Sequence, residues 1–377
     1  MDLTYDEQQR AIKTTARDFF ADNCSMETVR ELEGKSPGYS QELWRQMADL
    51  GWLGITFPEQ YGGLGGGFLD LYVLYEEMGR TLAPSPHLTS VVLSGETILG
   101  AGSDAQKSRF LPAISSGEII VTSALLEPNG AYGPEGVELQ ATADGDGFRL
   151  SGTKLLVPYG DVADYLLVAA RTKQSNDPTN GVTWFLVDRG DSSVSTEGIL
   201  NISAENLCAV TLDNTRVAKD AVVGAVDGGW KAYAPVQTMA SVLRCAEIVG
   251  AGERVTDMAA NYARERVQFG RPIGQFQAVQ YLCTDVDIET ARTSLLAKQA
   301  AWRIDGGLDH EREAALASAA ARKAIMHLTR QAHEVFAGVA FMLEHDMQMY
   351  TRRAKSWELN LGDADYHKER WAVAMGL

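Results

Sequence analysis

The stretch RVQFGRPIGQFQ, residues 266–277, stands between two long segments whose apolar residues recur at helical spacing. Gly270 and Pro272 interrupt that spacing, so we expect a tight turn between two antiparallel helices. At this turn Arg266 precedes Phe269 and Arg271 follows it, so that two guanidinium groups flank an aromatic ring in the sequence. Guanidinium groups bind diphosphates in a bidentate way and stack on aromatic bases. The alternative is an ordinary helix C-terminus whose arginines compensate the helix dipole.

The periodicity of the apolar residues changes twice along the chain. Residues 4–111 have helical spacing, whereas residues 119–223 alternate β-branched and polar residues. Within the second segment we expect turns at residues 144–147 and at Ser151-Gly152. Helical spacing then returns in three long patterns, at residues 230–268, 275–305 and 311–337.

This order predicts an α+β protein that is mostly α-helical. We expect an N-terminal helical domain at residues 1–118, a middle β-barrel or sandwich domain at 119–225, and a C-terminal four-helix-bundle domain at 226–377. Strands and helices do not alternate, so a Rossmann fold has little support, and P-loop, HExxH and GxSxG motifs do not occur in the sequence.

The composition excludes several classes of protein. The chain has 34 basic and 50 acidic residues, a formal net charge of −16, which disfavours binding to nucleic acid. The sequence has no run of about 18 apolar residues, so we expect no membrane span and a cytoplasmic location. Its four cysteines form no CxxC pair and are expected to be buried thiols, without a disulfide or a zinc site.

A second motif places a carboxylate after a nearly uncharged run. Glu344 follows residues 336–343, which we expect to end a helix. Apolar neighbours disfavour the ionised form of a carboxylate, so Glu344 is a candidate acid or base; a solvated residue at a helix end is the alternative. His345 and Asp346 point in different directions on any regular element and have no third partner, so no metal site is predicted.

The third motif consists of two apolar strand ends. Leu125-Leu126 precede a turn in LLEPNG, and Leu156-Val157 lie in GTKLLVPYG, residues 152–160. Two such strand ends can enclose a flat ring, although an ordinary pair of strands explains the same pattern.

Together the motifs resemble the flavin-dependent acyl-CoA dehydrogenases. The resemblance extends over essentially the whole chain, from PEQYGGLGG at residues 58–66, through the three motifs above, to FAGVAFMLEHDMQMYTRRAK at residues 336–355. It implies FAD as cofactor and α,β-dehydrogenation of an acyl-CoA thioester to the 2,3-enoyl-CoA. Glu344, eight residues before Arg352, matches the base that removes the α-proton while the β-hydrogen leaves as hydride to flavin N5.

The resemblance also implies a set of cofactor-binding residues. Leu125, Leu126, Leu156 and Val157 match segments that line the isoalloxazine. Arg266, Phe269 and Gln277 match residues that hold the FAD diphosphate and adenine across a dimer interface, and Glu334, Val335 and Gly338 belong to the segment that meets the FAD of the neighbouring subunit. Some members of the family place the base on an earlier helix, where this chain has Ala240; the nearby Glu247 is expected to be an interior or interface residue.

Several positions depart from the family pattern. LEPNGAYG lacks the usual threonine and serine that bond flavin and thioester, and Glu334 puts a carboxylate where the resemblance expects phosphates, which opposes binding by charge. The divergent motifs resemble a bacterial branch that acts on bulky or steroid side-chain acyl-CoAs, in lipid, fatty acid or steroid degradation. Two other functions remain open: a half-site partner subunit of a heterotetramer, and a non-redox acyl-CoA lyase on the same fold.

The resemblance implies three kinds of partner. The substrate is an acyl-CoA, the electron acceptor is electron-transfer flavoprotein, and the assembly is a homotetramer or an α2β2 heterotetramer.

Overall fold

The computed structural model describes residues 2–377, in which helical segments precede and follow a block of strands. The α-helices are α1 (Glu7–Asn23), α2 (Met26–Leu32), α3 (Gln41–Asp49), α4 (Phe68–Thr81), α5 (Thr97–Ala101), α6 (Asp104–Ser115), α7 (Gly229–Glu265), α8 (Gln277–Asp305), α9 (Glu311–Phe336), α10 (Met347–Leu359) and α11 (Ala364–Ala374). A π-helix spans Leu88–Glu96, and short 3-10 helices lie between several elements. The predicted fold class is confirmed: the chain is mostly helical, with a β-sheet domain between two helical segments.

Local signals fix the ends of the helices. Asp6 caps α1 by accepting a hydrogen bond from Gln9 N, while the Gln9 side chain accepts one from Asp6 N, which forms a capping box. The three long C-terminal helices α7, α8 and α9 lie within a few residues of the predicted bounds. Glycine allows two helices to pack closely: a Cβ on Gly250 of α7 would lie 1.7 Å from the backbone oxygen of Glu76 in α4.

The strands form one main sheet and one short ribbon. They are β1 (Val121–Ala124), β2 (Gln140–Asp144), β3 (Gly147–Pro158), β4 (Tyr165–Arg171), β5 (Val182–Asp188), β6 (Val194–Gly198), β7 (Leu207–Ala218), β8 (Val222–Val223), β9 (Val267–Gln268) and β10 (Arg271–Pro272). The main sheet has eight strands in the order β6–β7–β3–β2–β4–β5–β8, with β1 paired in parallel to β4. Its buried side chains form a core that includes Leu150, Val168, Phe185 and Val210.

One of the two predicted turns in the sheet is confirmed and the other is wrong. Asp144 pairs with Gly147, so β2 and β3 form a hairpin with a two-residue turn. Ser151-Gly152 lies inside β3, where the pairing with β7 shifts register between Leu150 and Gly152. The φ of Gly152 is +148°, which glycine adopts easily. In this interval β7 has one residue more than β3, so the extra residue of the β-bulge lies in β7, opposite Ser151.

The contacts divide the chain into two compact units. One contains the chain up to Arg30, Gly67–Ala83 and Ser241–Leu377, and the other contains Glu31–Gly66 and Pro84–Ala240. We call them the helical unit and the sheet unit. The N-terminal third therefore contributes helices to both, and the domain boundaries at residues 118/119 and 225/226 stay a prediction.

Three further findings concern the described residues. No helix within residues 2–377 is long and apolar enough to cross a membrane. In the same range, no three His, Cys, Asp or Glu side chains come close enough to hold a metal ion. Cys24, Cys208 and Cys245 are buried free thiols, whereas Cys283 is only half-buried, so the prediction of four buried thiols is wrong for Cys283.

Candidate functional site

Glu344 lies in a turn between two helices. Helix α9 ends at Phe336 because Ala337 has a left-handed φ of +54°, and a 3-10 helix, Ala337–Phe341, follows before α10 begins at Met347. The prediction that Glu344 ends a helix is therefore wrong: the turn that carries it begins after the short 3-10 helix.

The surroundings of Glu344 agree with the solvated alternative and not with an apolar environment. Its side chain is exposed, and so are the apolar residues before it: Phe341, Met342 and Leu343 are 72, 54 and 75% exposed. The apolar run therefore does not bury the carboxylate within this chain. It forms a solvent-facing apolar surface beside a carboxylate, which is the composition expected of a ligand pocket wall.

Aromatic contacts bring the turn of Glu344 close to the ends of two helices in the helical unit. The ring of Phe336, the last residue of α9, lies 4.8 Å from the ring of His345 and 4.9 Å from the ring of Tyr262 in the last turns of α7. Arg266 N donates to Tyr262 O at 2.8 Å, directly after α7. The base candidate, the end of α9 and the base of the RVQFG hairpin thus share one neighbourhood.

The RVQFGRPIG segment is a hairpin rather than a plain helix end. Strands β9 and β10 pair antiparallel, and their two-residue turn, Phe269-Gly270, has φ values of +54° and +79°, as a type I′ turn requires. This turn leaves Phe269 93% exposed, with its ring 6.0 Å from that of Phe276. The guanidinium of Arg271 lies 4.2 Å from the Phe276 ring centre. The hairpin thus combines an exposed aromatic tip with two exposed arginines, one before and one after it in the chain. This composition suits a flat anionic ligand better than dipole compensation alone.

The remaining predicted residues of the helical unit lie at helix ends. Gln277 is the exposed first residue of α8, and its Nε2 donates to the Tyr281 hydroxyl at 2.8 Å. Glu334 is exposed in the last turn of α9, Val335 is buried, and Gly338 is exposed in the 3-10 helix. A carboxylate in the last turn of a helix opposes the dipole, so Glu334 is locally unfavourable.

The four predicted leucine and valine residues of the sheet unit come together. Leu125 and Leu126 follow β1 and are half-buried, and Leu126 O accepts a hydrogen bond from Leu155 N at 2.8 Å. The pairing of β3 with β7 is irregular between Lys154 and Val157, and Leu156 in this second bulge has a φ of +53°. Val157 is buried, whereas Leu156 is 42% exposed. Bulges and left-handed non-glycine residues are enriched at functional sites.

Two residues that contact predicted site residues, one in each unit, were not themselves predicted to act there. Lys154 was visible in the GTKLLVPYG motif but carried no assigned role; its Nζ lies 2.5 Å from Glu127 Oε1 and donates to Leu125 O at 3.1 Å. Burial lowers the pKa of Lys154 to about 8, although Glu127 opposes this shift. Arg30 of α2 donates to Glu344 O at 3.0 Å, a contact across 314 residues that leaves no local signal in the sequence.

Helix α7 offers no second base at the position that some members of the family use. Ala240 is fully buried, and Glu247 is buried in an ion pair with Arg244 at 2.5 Å. The Arg244 guanidinium lies over the ring of Trp357, 5.6 Å from its centre. Glu247 is therefore the interior residue that the sequence predicted, and its carboxylate is held by a cation.

Comparison with known proteins gives one family, both for three separate parts of the chain and for a relative aligned over most of its length. The models of the acyl-CoA dehydrogenase N-terminal, middle and C-terminal domains match residues 6–118, 122–215 and 227–376. FadE27, an acyl-CoA dehydrogenase of Mycobacterium tuberculosis, is 34% identical over 350 residues, 90% of this chain and 90% of FadE27. The chain belongs to the acyl-CoA dehydrogenase family. Family members are flavin-dependent oxidoreductases whose cofactor is FAD, so the predicted enzyme class and cofactor are confirmed.

Solved structures of the acyl-CoA dehydrogenase family include complexes of two different chains. A chain of the ChsE4-ChsE5 complex from Mycobacterium tuberculosis matches with a TM-score of 0.90 and 31% identity over 100% of this chain and 99% of its own. A steroid acyl-CoA dehydrogenase, Tcur3481-Tcur3483, matches with a TM-score of 0.87 and 29% identity over 98% of both chains.

The acyl-CoA dehydrogenase residues of this chain fit FAD in most respects. The exposed Phe269, in a hairpin that carries two exposed arginines, suits adenine and diphosphate. In the sheet unit, the half-buried Leu125-Leu126 pair beside the Leu156 bulge offers an apolar wall to a flat ring. Glu334 is the exception, because its exposed carboxylate would repel a phosphate.

Proposed function

We propose that the chain is an FAD-dependent acyl-CoA dehydrogenase that forms a 2,3-enoyl-CoA with Glu344 as the base. The observation that carries the proposal is the state of Glu344: its side chain and its amide N–H make no hydrogen bond with any residue of the described range 2–377, while its carbonyl is held by Arg30. A carboxylate that is exposed on a fixed backbone is free to bind the substrate.

Two groups of Glu344 take part in the proposed reaction. The Glu344 carboxylate takes the α-proton, and the Glu344 N–H donates to the thioester oxygen, where negative charge develops. FAD, when bound, supplies the hydride acceptor for the β-hydrogen and its electron pair. Loss of one proton and one hydride leaves a double bond between C2 and C3, so atoms and electrons balance. Phe341, Met342 and Leu343 lie directly before the base and offer an exposed apolar surface on which an acyl group can pack.

The substitution Glu344→Gln tests this proposal. We expect the purified variant to keep its flavin-to-protein ratio, but to lose flavin reduction by acyl-CoA by a factor of at least about 100, because general-base catalysis contributes 10²–10⁴-fold. Glu369→Gln, which removes an exposed carboxylate from α11, is the matched control and should reduce normally. Full reduction in the Glu344 variant would overturn the assignment of the base. Multiple turnovers of the wild type without any added electron acceptor, with the flavin still oxidised, would instead identify the non-redox lyase.

A half-site subunit is the second candidate, and two observations favour it. The exposed carboxylate of Glu334 would repel a phosphate of FAD. In addition, the similar ChsE4-ChsE5 structure is a complex of two different proteins. Purification alone and with a second acyl-CoA dehydrogenase chain separates the candidates: a colourless protein that gains flavin only with its partner would identify the half-site. Glu334→Gln should raise the FAD affinity of the chain in either case, by up to about tenfold.

The finer predictions about substrate and partners belong to the same proposal. A bulky or steroid acyl-CoA is supported by the steroid acyl-CoA dehydrogenase among the similar structures. Electron-transfer flavoprotein as acceptor, a homotetramer or α2β2 heterotetramer, and a cytoplasmic location in lipid degradation stay predictions. Turnover with a panel of straight-chain and steroid side-chain acyl-CoAs, followed through electron-transfer flavoprotein, tests the predicted substrate class and the predicted electron acceptor.

A further inference from the structure

A single arginine reaches the turn of Glu344 from a distant helix. Nη2 of Arg30, in α2, donates to the carbonyl oxygen of Glu344 at 3.0 Å and also binds the Asp346 carboxylate. We infer that Arg30 is a positioning residue for Glu344: it fixes the backbone from which the base reaches its substrate. The inference rests on the proposed function of Glu344.

The other contacts of the turn come from residues close to it in the sequence. Met347 N donates to His345 Nδ1 at 3.1 Å, and Gln348 Nε2 donates to Leu343 O at 3.3 Å. Arg352 Nε donates to Gln348 Oε1 at 2.6 Å and so orients that amide. These bonds tie both sides of the turn to α10, but none of them contacts the backbone of Glu344. Among these side chains, only Arg30 contacts the backbone of Glu344.

The need for such a contact follows from the freedom of the carboxylate. Since the Glu344 side chain has no partner within residues 2–377, only its backbone sets the direction in which it points. Misplacement of a reacting group by about 1 Å can cost about 100-fold in rate. A charge-assisted bond from a guanidinium is stronger than one between neutral groups, and its planar donors also fix direction.

Two variants separate the carbonyl contact from the ion pair. Arg30→Ala removes both, and we expect it to slow flavin reduction by about 10- to 100-fold while the concentration of acyl-CoA for half-maximal rate changes less than about twofold. Asp346→Asn removes the opposite charge but leaves Arg30 able to reach the Glu344 carbonyl, so its rate should fall less than about threefold. An equal loss in both variants would assign the effect to the ion pair and overturn the inference.

Hydrogen–deuterium exchange supplies a readout without substrate. In Arg30→Ala the amides of residues 341–348 should exchange at least several-fold faster than in the wild type, because the turn has lost its distant contact. Arg45→Ala is the matched control: Arg45 is an exposed residue of α3 whose ion pairs with Glu42 and Asp49 lie on the surface. It should leave both the rate and this exchange unchanged.

The outcomes distinguish failure of the inference from failure of the proposed function. If Glu344→Gln keeps full activity, the base is wrong whatever Arg30 does. If Glu344→Gln is inactive but Arg30→Ala keeps the wild-type rate and exchange, Arg30 is not a positioning residue. Arg30→Lys retains the charge and one donor and should recover part of the rate. Arg30→Lys also serves as the test if the alanine variant does not fold, with the uncharged Arg30→Gln as its comparison. If Arg30→Lys reduces flavin no faster than Arg30→Gln, the inference is overturned.

Discussion

Lys154 Nζ lies 2.5 Å from Glu127 Oε1, and both side chains are almost fully buried in the sheet unit. Glu127 also accepts hydrogen bonds from the backbone N–H groups of Glu138 and Leu139 at 3.0 Å, and Lys154 donates to Leu125 O. The ion pair thus joins β3 to the loop after β1, the two segments that carry the predicted flavin-lining leucines.

Removing one partner of this pair should destabilise the protein more than removing both. Glu127→Gln leaves the buried Lys154 ammonium without a counter-charge, at an expected cost of about 3–5 kcal/mol. The double variant Glu127→Gln with Lys154→Met should lose less stability than Glu127→Gln alone, because no unpaired charge remains. Urea unfolding of the wild type and the three variants measures the coupling. Additive losses would show that the pair acts as two independent side chains.

A pair of glycine substitutions tests the bulge at Leu156. Leu156→Gly relieves a left-handed backbone that costs a leucine about 1 kcal/mol, so the melting temperature should stay equal or rise. Leu155→Gly, at the neighbouring position without a positive φ, should lower it, since glycine weakens a strand interior. We expect the Leu156 variant to bind FAD less tightly despite its stability, because it has lost the exposed apolar side chain. A lower melting temperature for Leu156→Gly than for Leu155→Gly would refute the strain argument.

The sequence predicted the elements whose signals are local. Helices α7 to α9 have long periodic patterns, and the hairpin between β2 and β3 has a Gly-Asp turn between two alternating segments. Ser151-Gly152 misled the prediction because a Ser-Gly pair, typical of turns, also fits inside a strand opposite a bulge, and only the pairing of β3 with β7 shows that it does so here.

The candidate site was predictable in its residues but not in its arrangement. Glu344 could be found from its motif, yet its place in a turn follows from the left-handed φ of Ala337, which an alanine does not signal. The contact between Arg30 and Glu344 depends on packing across 314 residues, so no periodicity or spacing predicts it. The exposure of Phe269 likewise needed the φ values of the hairpin turn, since the helical pattern continued to that point.

The close packing of α4 and α7 can be tested with a single methyl group. A Cβ on Gly250 would lie 1.7 Å from Glu76 O and 2.9 Å from Arg80 N, and both are backbone atoms that cannot rotate away. Gly250→Ala should therefore force the two helices apart and lower the stability by about 3 kcal/mol.

Gly100→Ala is the matched control for this prediction. Gly100 lies in α5, and a Cβ at this position would meet no heavy atom within 4 Å, so alanine should raise the stability slightly through its helix propensity. Thermal unfolding compares the two variants with the wild type. Equal melting temperatures for Gly250→Ala and the wild type would show that α4 and α7 are not held at backbone contact.

His87 should make the sheet unit less stable in acid. The imidazole is fully buried, its Nε2 donates to Trp52 O at 3.1 Å, and burial lowers its pKa to about 4, although the bond to Trp52 opposes this shift. In the unfolded chain the histidine pKa is about 6.5, so between pH 6.5 and pH 4 the unfolded state binds the proton more readily than the folded state. The contribution of His87 to the free energy of unfolding is therefore fully present above pH 6.5 and falls as the pH approaches 4. The loss should reach on the order of 3 kcal/mol. His87→Gln keeps an N–H donor but does not titrate, so its melting temperature should fall less than that of the wild type between pH 8 and pH 4.5. Parallel decreases in the two proteins would show that the protonation of His87 does not contribute to acid unfolding.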